Sequence, residues 1–193
     1  MNTRIKPKQR KVVYPTAADI AKTAATMIPF YRKITCDAIY GRRWAAAVKS
    51  ADLGTMLRLF RQAVPLRNPS LATNGIGYFL DVLFPAPLYV YTNGTSLRPG
   101  TTQFRFSAKA HRLIAAAILP LYRTIAGSKP FASALAEAIR RSDQSIVERL
   151  VRSRVSSRYL HSVTLTEAGF AMGFRIPGIR FTYYNEFFRE YTG

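Results

Sequence analysis

Ile20, Ala24, Met27, Tyr31 and Ile34 recur at steps of four, three, four and three, the period of a helix with one apolar stripe. Pro15-Thr16 with Asp19 three residues on predicts the start of that helix as a capping box. Pro29 projects from the opposite side, and a kink is expected there because proline removes a backbone donor. Gly41 is expected to mark a break, followed by a second helix to about Lys49 and a third, capped by Asp52, that ends near Val64. Past a long loop over 65–74 the apolar period falls to two. This predicts a hairpin with strands over 78–84 and 88–91 and a turn at Pro85-Ala86. Asn93-Gly94 is a strong local turn signal, and a short strand is expected over 103–106.

The same order then returns. A helix over 108–126 carries Pro120 on its outer face and stops at Gly127, and a second starts after Ser128 and Pro130 and runs to about Arg140. Asp143 opens a third that ends near Val155. Phe170, Met172, Phe174 and Ile176 alternate up to a turn at Pro177-Gly178, and Ile179, Phe181 and Tyr183 continue the alternation. An extra strand is expected over 163–166.

Laid over itself with a shift of 91 residues, the chain matches without a gap from 17–64 to 108–155. Pro29, Tyr31, Arg32, Asp52, Arg58 and Arg61 fall on Pro120, Tyr122, Arg123, Asp143, Arg149 and Arg152. After one added residue Gly77, Pro85, Tyr91 and Asn93 fall on Gly169, Pro177, Tyr183 and Asn185. The expected fold class is therefore α+β, a tandem duplication of a three-helix plus β-hairpin unit with its halves packed about a pseudo-twofold axis. The expected divisions are a flexible basic arm (1–14), a first repeat (15–95), a connector (96–107) and a second repeat (108–193). Three helices followed by a hairpin resemble the element order of a winged helix. That resemblance covers each copy, and it implies a third helix in a major groove and a hairpin against the backbone.

Charge changes the picture most. Lys and Arg number 29 against 10 Asp and Glu, a net charge of +19. Such an excess disfavours a compact chain unless an anion neutralises it, so nucleic acid or another polyanion is the expected partner. Arg4, Lys6, Lys8, Arg10 and Lys11 crowd the opening arm. Arg58 and Arg61, and again Arg149 and Arg152, lie three residues apart on the outer faces of the third helices, with Lys49, Arg140 and Arg141 nearby. These twelve residues are the candidate nucleic-acid contacts.

Other chemistry is sparse. Two histidines and one cysteine provide no zinc spacing, and no cofactor is expected. His111 lies on an apolar stripe and reads as a packed histidine, and Cys36 beside Asp37 lacks a basic neighbour to favour a thiolate. The acids form no close pair for acid–base work, and Gly75-Ile76-Gly77 is too short for a phosphate loop, so a non-enzymatic protein is expected. The longest apolar stretch, 76–91, is broken by Asp81, Pro85 and Pro87 and predicts no membrane span. The basic start leads into no signal-peptide core, so the expected location is intracellular: cytoplasm, nucleoid or particle. Nucleic-acid binding or packaging through phosphate contacts is the leading expectation. The alternative is a self-assembling coat or shell protein in which Tyr183, Tyr184, Phe187 and Phe188 make subunit contacts.

Overall fold

The computed structural model describes residues 12–66 and 68–189. Among them three helices, α1 (Ala17–Cys36), α2 (Ala38–Lys49) and α3 (Leu53–Ala63), precede three strands, β1 (Ser70–Thr73), β2 (Gly77–Leu83) and β3 (Val90–Leu97). The order repeats as α4 (Ala108–Gly127), α5 (Lys129–Arg140), α6 (Gln144–Arg152), β4 (Leu160–Thr166), β5 (Gly169–Phe174) and β6 (Tyr183–Phe188). The strands make one antiparallel sheet in the order β1-β2-β3-β6-β5-β4, so the protein is α+β.

Short polar side chains set the helix starts. Thr16 and Asp19 form the expected capping box, each side chain bonding the other residue's N–H. Asp52 and Asp143 accept from the N–H groups of Thr55 and Ile146 at 2.9 and 3.0 Å. The expected break at Gly41 falls instead at Asp37, which ends α1 and caps α2 by accepting from the Tyr40 N–H at 2.9 Å. That bond, with Lys33 beside it, holds the Asp37 carboxyl below its ordinary range. Gly41 is buried inside α2, where a Cβ would come within 3.4 Å of the Arg112 side chain; it allows α4 to approach. Pro29 and Pro120 lie on exposed sides, and both helices continue through them.

Each half contributes a three-stranded meander: the second contains the extra strand expected over 163–166, as β4, and the first has a third strand where only a hairpin was expected. In the first half, residues expected as loop supply β1, a four-residue edge strand whose Leu71 and Thr73 turn inward. Asn93-Gly94 is the middle of β3, where a Cβ on Gly94 would sit 2.3 Å from the Tyr78 carbonyl oxygen. Local turn preference yields there to strand pairing on both sides of β3. Residues 103–106, expected as a strand, are irregular and lie outside the sheet. The hairpins are therefore not the free wings that the winged-helix order implies, because β3 and β6 join them edge to edge.

Helices cover one face of the sheet. Alternate strand residues point into that layer: Tyr78, Leu80 and Val82 from β2, Tyr91 and Leu97 from β3, and Phe170, Met172 and Phe174 from β5. α1 and α4 pack side by side over the β3–β6 seam, α3 lies against β1, and α6 against β4. Phe30 sits among the rings of Trp44, Phe60 and Tyr78, with centroids 4.6 to 5.6 Å away. Gln144 blunts the outer edge of β4, donating to the Val163 carbonyl and accepting from the Leu165 N–H.

Candidate functional site

Two constellations hold polar chemistry: a buried ring at the centre of the core and a basic cleft at one end of the β3–β6 seam. In the ring Tyr31 donates to Asn93 Oδ1 at 2.8 Å, and Asn93 Nδ2 donates to the Tyr122 hydroxyl at 2.7 Å. Tyr122 donates to Asn185 Oδ1 at 2.7 Å, and Asn185 Nδ2 returns to the Tyr31 hydroxyl at 2.9 Å. The spare amide hydrogens reach the carbonyls of Glu186 and Gly94. All four side chains are fully buried, and burial drives both tyrosines above their usual pKa. The ring is neutral and sealed. It ties α1, α4, β3 and β6 together.

His111 extends this network to one side, with Nε2 2.8 Å from the Tyr78 hydroxyl and Nδ1 without a partner. Burial lowers its pKa from 6.5 to about 3. The folded state thus holds a neutral imidazole that the unfolded chain protonates below pH 6.5. Its contribution is complete above that pH and is lost as pH falls toward 3. In the self-alignment the matching pair is Ile20 and Phe170. We expect wild type to lose about 2 kcal/mol between pH 6.5 and 4.5 on this account, and His111→Ile with Tyr78→Phe to lose correspondingly less. Urea unfolding across that range checks it; equal losses in both proteins would contradict the assignment.

The cleft, of about 520 Å³, is lined by Lys49 from the end of α2, Leu97 from β3, Phe104 to Ser107 from the connector, and Gly178 to Phe181 from the β5–β6 turn. A smaller hollow shares Arg180 and Phe181 with it and adds Arg98, Thr101, Thr182 and Tyr184. Neither contains a carboxylate in its lining. Lys49, Arg98, Arg105 and Arg180 are exposed, and among the described residues none of the four is ion-paired, in contrast to Lys33, Arg140, Arg141 and Arg152. Arg98 lies 4.8 Å above the Tyr184 ring and Arg180 5.6 Å above that of Phe181. Glu186 shares a further hollow with Arg98, and burial raises its pKa against the opposing pull of Ser96 and Arg98.

Compared with known proteins, the chain matches no family model, no curated protein and no solved structure.

The candidate contacts read from sequence are dispersed. Arg58, Arg61, Arg149 and Arg152 are exposed, but α3 lies against the edge strand β1 and α6 against β4 at the opposite edge of the sheet. Arg58 bonds Thr55, Arg152 pairs with Glu148 at 2.7 Å, and Arg140 and Arg141 share Glu137. Lys49 alone among them reaches the cleft. Arg4, Lys6, Lys8, Arg10 and Lys11 lie outside the described residues. Arg98, Arg105 and Arg180 were missed because they come from three separate segments; the signal available was an arginine beside an aromatic residue at 104–105 and 180–181. Tyr183 and Phe187, expected at subunit contacts, are buried in the core. No group of three His, Cys, Asp or Glu gathers for a metal among the described residues, and no helix of theirs is long and apolar enough to cross a membrane.

Proposed function

We propose that this protein is a non-enzymatic binder of nucleic acid that works mainly through phosphate contacts, on a scaffold made by tandem duplication. The observation that carries the functional reading is the cleft: four unpaired cations beside aromatic rings, with no carboxylate in the lining. Arginine forks suit phosphate oxygens, and rings among them suit bases. The acids are used elsewhere. Asp19, Asp37, Asp52 and Asp143 serve helix starts, and Asp81 holds Ser70 and Thr92. The positive excess thus remains available to a partner, with the helical arginines on the two flanks extending the field of the cleft. A coat or shell role has less support, since half of the rings that it needs are core.

Support for the duplication comes from the strand registers. Leu71 pairs with Leu80 and Tyr78 with Thr95, while Val163 pairs with Met172 and Phe170 with Phe187, the same pairs displaced by 92 residues. Under that displacement the Gly94–Glu186 pair maps onto itself, which puts the proposed pseudo-twofold axis through the β3–β6 seam.

Charge replacement tests the site. Changing Lys49, Arg98, Arg105 and Arg180 together to Gln is expected to lower the log-log salt slope for single strands by about three, at roughly 0.7 per phosphate contact. The same change at Arg58, Arg61, Arg149 and Arg152 is expected to lower it by about one, because two of these already have partners. Folding stability should hardly move in either variant. A reversed ranking would transfer the binding face from the cleft to the third helices.

A further inference from the structure

We propose, building on the nucleic-acid reading, that the cleft takes single-stranded nucleic acid and that Phe104 is its base-stacking platform. Phe104 is 64% exposed, although a phenylalanine normally buries its ring. Its backbone is left-handed, with φ +49°, which is rare for a bulky residue and which glycine would adopt without cost. Core packing does not require a ring at this position, so the strain is kept for something outside the core.

The ring is supported from behind and open in front. Its edge lies 3.0 Å from where a Cβ of Gly75 would stand, and Gly75 itself has φ +76°. A side chain at 75 would push the ring away. The exposed Arg105 and Lys49 line the same cleft. Of the other rings in the cleft and its adjoining hollow, Phe106 and Tyr183 are buried, and Phe181 and Tyr184 already carry the guanidinium groups of Arg180 and Arg98. Phe104 is the cleft ring that offers an uncovered face. Phosphates would then lie on the cations along the walls while one unpaired base stacks on Phe104. A duplex keeps its bases stacked on one another and cannot use the platform.

Fluorescence anisotropy with a labelled oligothymidylate, a matching oligouridylate and a duplex of equal length tests the proposal. Phe104→Ala is expected to weaken both single strands by about tenfold, leaving the salt slope and the duplex affinity unchanged. Phe104→Trp should retain binding. Phe104→Gly should show the same loss as alanine with an undiminished melting temperature, since glycine relieves the backbone, which separates lost stacking from unfolding. Tyr89→Ala serves as the control: Tyr89 is also exposed with φ +59°, but it precedes β3 at the end away from the cleft. Equal losses on duplex and single strand, or none from Phe104→Ala while the parent protein binds, would overturn the stacking role and leave phosphate binding standing. No binding by the parent at low salt would overturn both.

Discussion

Replacing Asn93 by leucine is expected to destabilise the fold by about 4 kcal/mol, because each buried polar group that loses a hydrogen bond it cannot replace costs roughly 1–3 kcal/mol. Three groups each lose a bond at once. The Tyr31 hydroxyl loses its acceptor, and the Tyr122 hydroxyl and the Glu186 carbonyl lose a donor. All four ring side chains are fully buried, away from bulk solvent. A loss of that size is a large part of the 5–15 kcal/mol that holds a typical domain. Asn185→Leu should behave alike, because Asn185 makes the corresponding bonds to Tyr122, Tyr31 and the Gly94 carbonyl. Tyr31→Phe and Tyr122→Phe are milder, and each should cost about 1–3 kcal/mol. Their double variant should cost less than the sum, since the first change already breaks the closed circuit. Urea denaturation supplies all five values. A change under 1 kcal/mol for Asn93→Leu would mean that apolar packing of α1 on α4 holds the halves together without the ring.

The four members of that ring were legible as pairs. Tyr31 falls on Tyr122 and Asn93 on Asn185 when the chain is laid over itself, although nothing in the sequence says that the pairs meet. Helix starts were legible too, because a cap is a local bond between residues three apart: Thr16, Asp52 and Asp143 all act as their spacing suggests. Signals settled by distant neighbours misled. Asn93-Gly94 has the chemistry of a turn, yet Asn93 is committed to two tyrosines from other elements and Gly94 is needed for a close backbone approach. Gly41 looks like a helix stop and is a contact point for Arg112. The short strand β1 is hidden because its alternation rests on two inward residues only, and its partner strand completes it.

The basic cleft lay beyond sequence reading for the same reason. Its cations are far apart in the chain, at 49, 98, 105 and 180, and only the meeting of α2, the connector and the β5–β6 turn places them together. Arginine pairs at helical spacing were visible, and so were Glu137 and Glu148, three and four residues before Arg140, Arg141 and Arg152, which occupy those arginines.

The most direct measurement for the whole account is the affinity of the intact protein for a single-stranded oligonucleotide across a salt series. With four cleft cations on phosphate, the slope of log K against log salt should be at least about −2.8. Binding should then weaken by about fifty-fold or more from 50 to 200 mM salt, with little dependence on base sequence. Contacts from the flanking helices would steepen the slope further. Absence of binding at the lowest salt, or an affinity that does not change with salt, would contradict phosphate neutralisation as the task of this surface.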